Sequence, residues 1–123
     1  MDYLYLKWND FDTNKKYLLG ALFKDKENKK YYFKFSKNHI EKALKEKIFS
    51  KAILPFTDYD KIYESNEIFA IFKIRLPKIE NFSDEELKDL LDDLDMTEFD
   101  DFEYLRKTNG ILMTDNFIVE KEK

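Results

Sequence analysis

The sequence predicts an α+β fold: a small antiparallel β-sheet of three to four strands, including a C-terminal strand, packed with three to four short α-helices. Three observations predict it. The N-terminal third alternates apolar and polar residues with a period of two, whereas later apolar residues recur at helical spacing. The 123 residues are 43% hydrophobic and 17% aromatic, which is enough to bury a core. Their number fits a single domain spanning residues 1–123.

Three strands are expected in the first third of the chain, at residues 3–8, 16–23 and 31–36. Each alternates aromatic or aliphatic side chains with other residues, and polar segments that favour turns separate the strands. Strands at this spacing form an antiparallel meander with one buried face and one solvated face. Residues 114–120 are expected to form a C-terminal strand that joins the same sheet.

The first helix is expected at residues 36–49, where apolar residues such as Ile40 and Ala43 recur at helical spacing. Ser36 or Asn38 is its expected N-cap, because either side chain can accept a hydrogen bond from a free backbone amide.

The most apolar stretch of the chain is SNEIFAIFKIRLPK, residues 65–78. Ser65 is expected to cap a short helix here and Pro77 to end it, which gives a broad apolar face over two turns. Such a helix is typical of a buried core, so we expect this segment to build the fold rather than to bind a partner. The preceding residues 58–65 are expected to form a turn or a single helical turn.

Two further helices are expected in the C-terminal half. Ser83 and Glu86 form an S-x-x-E capping box at the start of a helix over residues 84–94. Another helix is expected over residues 98–107, with Gly110 as its left-handed stop. The apolar face of the earlier helix consists of Leu87, Leu90, Leu91 and Leu94.

The sequence offers few of the residue types that catalysis and metal binding need. It has no Cys and one His, His39, which disfavours zinc sites and His-dependent acid–base chemistry. A calcium loop beginning at Asp93 would need Gly at position 98 and Glu at 104, but the chain has Glu98 and Tyr104. Neither glycine belongs to a phosphate-binding loop. We therefore expect a protein that is not an enzyme, with no cofactor and no metal.

The expected location is the cytoplasm. The absence of Cys suits a reducing compartment, and the N-terminus has no basic segment followed by an apolar run. No apolar run approaches the ~20 residues that a membrane-spanning helix needs, so no membrane partner is expected.

The net charge of −4 hides an uneven distribution of charged residues. Residues 7–51 contain thirteen Lys and six acidic residues, whereas residues 80–103 contain twelve acidic residues and one Lys. Each block is either the solvated face of an ordinary element or the contact surface for an oppositely charged partner.

Four parts of the chain, taken in order, resemble the N-terminal subdomain of HipA-type kinases. They are LLGALF with KKYYFKFS, then LPFTDYDKIYESNEIFAIFKIRLP, FDDFEYLRKTNG and MTDNFIVE, and together they span roughly residues 17–119. The second is similar to a Leu-Pro segment that leads into a short central helix, and the third to a helix with a glycine stop. The last is similar to stand-alone relatives of this module, some of them joined to a HIRAN domain.

The resemblance implies an adaptor or inhibitor rather than a catalyst. In the kinases this subdomain packs on the kinase core and helps to contact a DNA-binding antitoxin. In split three-gene systems it occurs as HipS-like small proteins that bind and neutralise the kinase. The chain has no catalytic loop, metal-binding Asp motif or ATP loop of a kinase. The acidic stretch at residues 80–101 departs from the family pattern.

Three functions therefore stand in order of preference. The first is a non-catalytic interaction module that acts as an antitoxin-type inhibitor of a HipA-like serine/threonine kinase. The second is a phage- or element-encoded inhibitor of a host defence nuclease, of the anti-CRISPR type, whose acidic helices mimic nucleic-acid phosphates. The third is a nucleic-acid-binding module that uses Lys and Tyr side chains of the sheet, which the negative net charge disfavours.

The candidate partner-binding residues follow from their expected exposure. Trp8, the only Trp, ends a strand, where it either anchors a partner or packs in the core. Arg75 interrupts an apolar segment and pairs either with a partner or with the acidic helices of its own chain. The full set is Trp8, Tyr31, Lys34, Arg75, Asp92, Asp93, Asp100 and Asp101.

Overall fold

The computed structural model describes residues 1–123 and contains one five-stranded antiparallel sheet. Its strands are β1 (Asp2–Asp10), β2 (Lys15–Asp25), β3 (Lys30–Phe35), β4 (Ile62–Ser65) and β5 (Phe117–Glu120). The strand order is β4-β3-β2-β1-β5, so the C-terminal strand lies beside the N-terminal strand. The meander and the C-terminal strand were both predicted, and the sheet has one strand more than expected.

Four α-helices and two single 3₁₀ turns make up the remaining elements. The helices are α1 (Lys37–Lys45), α2 (Ala70–Lys73), α3 (Asp84–Asp93) and α4 (Asp101–Thr108), and the 3₁₀ turns are Lys51–Ile53 and Ile79–Asn81. Helix α1 packs beside β2, and α4 packs beside β1 and β5. The α+β fold class is confirmed.

The core lies on one face of the sheet. The strand register places Leu4, Leu22 and Phe33 in one cross-strand row, and all three are buried. Ile40 of α1 and Leu105 of α4 belong to the same cluster and are fully buried. Because side chains alternate along a strand, the intervening residues point to the opposite face of the sheet.

Gly20 of β2 allows the neighbouring strand to approach closely. A Cβ atom at this position would lie 2.5 Å from the Lys34 carbonyl oxygen and 2.7 Å from Cζ of Phe33. Both distances are shorter than any normal contact, so a side chain here would push β3 away or displace the Phe33 ring.

The segment that precedes α2 differs from the prediction. Residues 62–65, expected to form a turn or a helical turn, are the edge strand β4. The strand forms because β3 offers it a hydrogen-bonding edge and because Tyr63 stacks on Phe56, with ring centroids 4.0 Å apart.

The apolar segment after β4 contains less helix than expected. Ser65 ends the strand and accepts a hydrogen bond from the Glu67 amide at 3.1 Å, and the helix begins only after Phe69. Helix α2 is therefore a single turn. Phe72 is nevertheless fully buried, and most of the apolar residues around it pack on the core.

The predicted capping box of α3 is confirmed. Ser83 Oγ accepts a hydrogen bond from the Glu86 amide, and the Glu86 carboxylate accepts one from the Ser83 amide, both at 3.1 Å. Ser36 occupies the N-cap position of α1 but caps no amide, because its hydroxyl lies 2.6 Å from Nδ1 of His39.

The end of α4 also shapes the sheet. Asn109 adopts the left-handed conformation directly after the helix, with φ of 57°, and Gly110 follows it with φ of 55°. The Asn109 carbonyl accepts the Val119 amide at 2.8 Å, and the Asn109 side-chain amide donates to the Val119 carbonyl at 3.0 Å. Asn109 thus takes the place of a neighbouring strand and closes the outer edge of β5.

The edge formed by β4 has no comparable cap. Its backbone hydrogen bonds are those of the ladder with β3. The sheet therefore has one closed edge and one open edge.

Candidate functional site

Helix α3 presents an apolar stripe that its own chain does not fully cover. None of its residues is fully buried, and its leucines are partly exposed and lie outside the core cluster and the residues packed against it. Exposed carboxylates border the stripe on the same helix. We call this surface the α3 face, and it consists of Leu87, Leu90, Leu91 and Leu94 with Asp84, Glu85, Asp89, Asp92 and Asp93.

A groove of about 450 Å³ runs along the α3 face. It is lined by apolar residues, namely Leu87, Leu91 and Met96, and by polar residues that include Lys88 and Asp92. The groove thus combines the apolar and polar side chains that protein interfaces contain.

Asp92 and Asp93 are both exposed on this helix, as predicted from the sequence, and neither makes an ion pair. The end of helix α3 lies beside α4. Lys107 of α4 donates hydrogen bonds there to the carbonyls of Leu94 and Asp95, the latter at 3.0 Å. The acidic surface therefore belongs to the helix side of the molecule.

Three further predicted residues come together at the start of α4. Asp101 accepts hydrogen bonds from Tyr31 at 2.5 Å and from Lys24 at 2.6 Å. Asp100 lies 3.4 Å from the same Lys24 ammonium. The ammonium also lies 5.4 Å from the centre of the Tyr31 ring and 5.6 Å from that of Phe102. This cluster connects β2 and β3 to α4, so its members have partners within the chain.

The cluster shifts the protonation equilibria of two of its members. Burial, followed by the hydrogen bond to Asp101, raises the pKa of Tyr31 to about 12. Burial alone would lower the pKa of Lys24, but the hydrogen bond and charge of Asp101 outweigh it and raise that pKa. Both shifts favour the protonated forms that hold the cluster together.

Arg75 is buried, and its side chain has no exposed surface. Its guanidinium donates to the Asp115 carboxylate at 2.7 Å and 3.2 Å and to the Gly110 carbonyl at 2.7 Å. This corrects the expectation that Arg75 contacts a partner. Arg75 instead forms an ion pair within its own chain. The paired carboxylate, Asp115, lies in the loop before β5 and not on an acidic helix.

Sequence reasoning missed three apolar residues exposed beside this buried arginine. Ile74 adjoins Arg75 in the chain and is 61% exposed, while Ile111 and Met113 follow Gly110 and are 55% and 102% exposed. No periodic pattern marks them, because all three lie outside helices and strands.

The remaining two candidates occupy separate places. Trp8 is half-buried, and its ring lies 5.5 Å from those of Phe49 and Phe117, so it packs against the edge of the core. Lys34 is exposed on the face of the sheet opposite the core, where its ammonium donates to the Asp60 carbonyl at 3.2 Å.

Comparisons with known proteins give no match. No protein-family model matches the chain, and neither a curated protein nor a solved structure is significantly similar to it. None of its helices combines the length and the apolar character needed to cross a membrane. No group of three or more His, Cys, Asp or Glu side chains is placed to hold a metal ion.

Proposed function

We propose that the protein is a non-catalytic interaction module of the cytoplasm that inhibits a HipA-like serine/threonine kinase, in the manner of an antitoxin. The observation that carries this proposal is the partly exposed leucine stripe of the α3 face. The sequence resemblance to the HipA N-terminal subdomain supplies the class of partner.

The geometry of the α3 face suits a helix that docks into an apolar groove. Leucines at positions i, i+3, i+4 and i+7 are the anchors that such recognition uses. The capping box holds the helix in the folded form before binding, which lowers the entropic cost of association. The acidic border favours a partner with a basic rim and accelerates the encounter.

The test combines the purified full chain with a HipA-like kinase that lacks its own N-terminal subdomain. We expect a stable complex and loss of kinase autophosphorylation. Leu91→Gln keeps a good helix former but removes an apolar anchor, so it should weaken binding at least about tenfold. The matched control is Ile62→Gln, because Ile62 is 59% exposed on β4 and lies outside the α3 face. A kinase that is neither bound nor inhibited would contradict the proposal.

A second function, inhibition of a host defence nuclease by mimicry of nucleic-acid phosphates, is favoured by one observation. The carboxylates on and beside α3 that lack an ion pair include Asp84, Glu85, Asp89, Asp92, Asp93, Asp95 and Glu98. The two functions differ in what carries the affinity. For a nuclease, Asp92→Asn with Asp93→Asn should abolish inhibition, and binding should fall steeply with salt. For a kinase, the same pair should mainly slow association, while Leu91→Gln weakens binding at least about tenfold.

A further inference from the structure

Side chains that point away from the core form two neighbouring rows across β1, β2 and β3. One row is aromatic throughout, and the other has a tyrosine at one end, a lysine towards the other and a small residue between them. We call this surface the open aromatic face, and it consists of Tyr3, Phe23 and Tyr32 in the first row and Tyr5, Ala21 and Lys34 in the second.

The rings of the open aromatic face are accessible. None of them belongs to the core cluster or packs against it. Tyr3 is 43% exposed, and the other three rings belong to half-buried residues. The Tyr3 ring lies 5.5 Å from the Tyr5 ring at 70° and 6.4 Å from the Phe23 ring at 46°. The Tyr3 ring thus packs against those of Tyr5 and Phe23, whereas Tyr32 continues the row as a partly exposed ring without a ring partner.

Ala21 makes the centre of this face shallow. It lies between Tyr5 and Lys34 in its row, two residues before Phe23 on the same strand. A planar ring placed over its methyl group would contact an aromatic ring on one side and an ammonium group on the other. This combination suits a heterocyclic base joined to a phosphate.

The charges of the same face favour an anionic ligand. Glu120 accepts hydrogen bonds from two lysines at 2.9 Å and 3.1 Å, and Glu64 accepts one from Lys30 at 2.8 Å, so these carboxylates are neutralised within the chain. Lys34 is exposed, and its ammonium donates to the neutral backbone carbonyl of Asp60. The acidic residues that give the protein its negative net charge lie mainly at residues 80–103, on the helix side. The net charge therefore does not describe the open aromatic face.

We propose that the open aromatic face binds single-stranded nucleic acid without recognising the identity of its bases. Bases stack on Tyr and Phe rings whatever their identity, and Lys34 neutralises a phosphate of the same strand. The exposed Lys34 ammonium, which is hydrogen-bonded to a backbone carbonyl and makes no ion pair, favours a polyanionic ligand over a protein partner. The inference does not depend on the proposed kinase partner, because it uses the opposite side of the sheet from the α3 face.

The experiment measures fluorescence anisotropy of labelled oligothymidine and oligouridine of about 12 nucleotides with the full chain at about 50 mM salt. We expect saturable binding. Comparison of the two affinities shows whether the protein prefers DNA, prefers RNA or binds both equally. Tyr32→Ala should weaken binding at least about fivefold, whereas Tyr32→Phe should retain it. Lys34→Ala should reduce the slope of log affinity against log salt by about 0.7.

The matched controls lie off the face. Phe11→Ala removes a 54% exposed ring from the β1–β2 turn, and Lys88→Ala removes an exposed lysine from α3. Neither should change binding, and Leu91→Gln should also leave it unchanged. No anisotropy change at low salt, or equal losses in the controls, would overturn the proposal. It would also be overturned if Tyr32→Ala converted a dimer to a monomer in sedimentation, because a second copy would then cover the face.

Discussion

The guanidinium of Arg75 holds the carboxylate of Asp115 through two hydrogen bonds of 2.7 Å and 3.2 Å. The two residues are 40 positions apart and lie in irregular segments, the first after α2 and the second before β5. The same guanidinium lies 5.6 Å from the centre of the Phe117 ring. One buried cation therefore fixes both segments and the start of the last strand.

Asp115→Ala should destabilise the protein by about 3 kcal/mol, because it leaves a buried guanidinium without its counter-charge. Urea unfolding would measure the loss. The matched control is Glu103→Ala, which breaks the exposed pair with Arg106 at 2.9 Å and should cost less than about 1 kcal/mol. Equal losses in the two variants would show that burial adds nothing to the Arg75 pair.

Stability should fall at high pH partly through Tyr31. Its pKa is about 12 in the folded protein, above the value of about 10 in an unfolded chain. A raised pKa means that the stabilisation is fully present below about pH 10 and is lost as the pH rises towards 12. We therefore expect the difference in unfolding free energy between the native sequence and Tyr31→Phe to shrink between about pH 10 and 12. A difference independent of pH would contradict this assignment.

Gly20→Ala should cost about 1–3 kcal/mol, because its methyl group would lie within 2.7 Å of both the Lys34 carbonyl oxygen and the Phe33 ring. The lost contacts lie between β2 and β3, so amide exchange should accelerate there first. Unchanged stability would mean that the two strands can separate without disturbing the core.

Ser83→Ala should raise amide exchange within α3, because it removes a cap that is worth about 1 kcal/mol. Since α3 contributes no buried side chain, the amides of the sheet should keep their protection. Ser36→Ala is the matched control, because Ser36 holds the same position in α1 but caps no amide. Equal exchange in the two variants would indicate that the capping box does not hold α3.

The fold class could be predicted because strand alternation and helix caps are local signals. The meander and the capping box of α3 depend on residues close together in the chain, whereas the C-terminal strand pairs with β1 at the other end of the chain. Strand β4 could not be predicted in this way, because its four residues take their conformation from the edge of β3 and from Phe56. The length of helix α2 was overestimated, because apolar side chains can pack on the core from an irregular backbone as well as from a helix.

Local sequence patterns were also insufficient to place the candidate partner-binding residues. Tyr31 and Tyr32 are adjacent, and the pattern does not say which of them faces the helices. The register shows that Tyr31 lies on the core side, where it meets Asp101, whereas Tyr32 joins the open aromatic face. Arg75 likewise looked like a break in an apolar face, and only its distant partner Asp115 explains its burial.

The side chain of Asn109 also limits how copies of this protein can assemble through their strands. Growth of a fibre by strand addition needs two free edges on every copy, one to receive and one to donate. Here the β5 edge is already occupied, so two copies can join only β4 to β4 about a two-fold axis. This β4-to-β4 pairing uses the single free strand edge of each copy, so association through strands stops at a dimer.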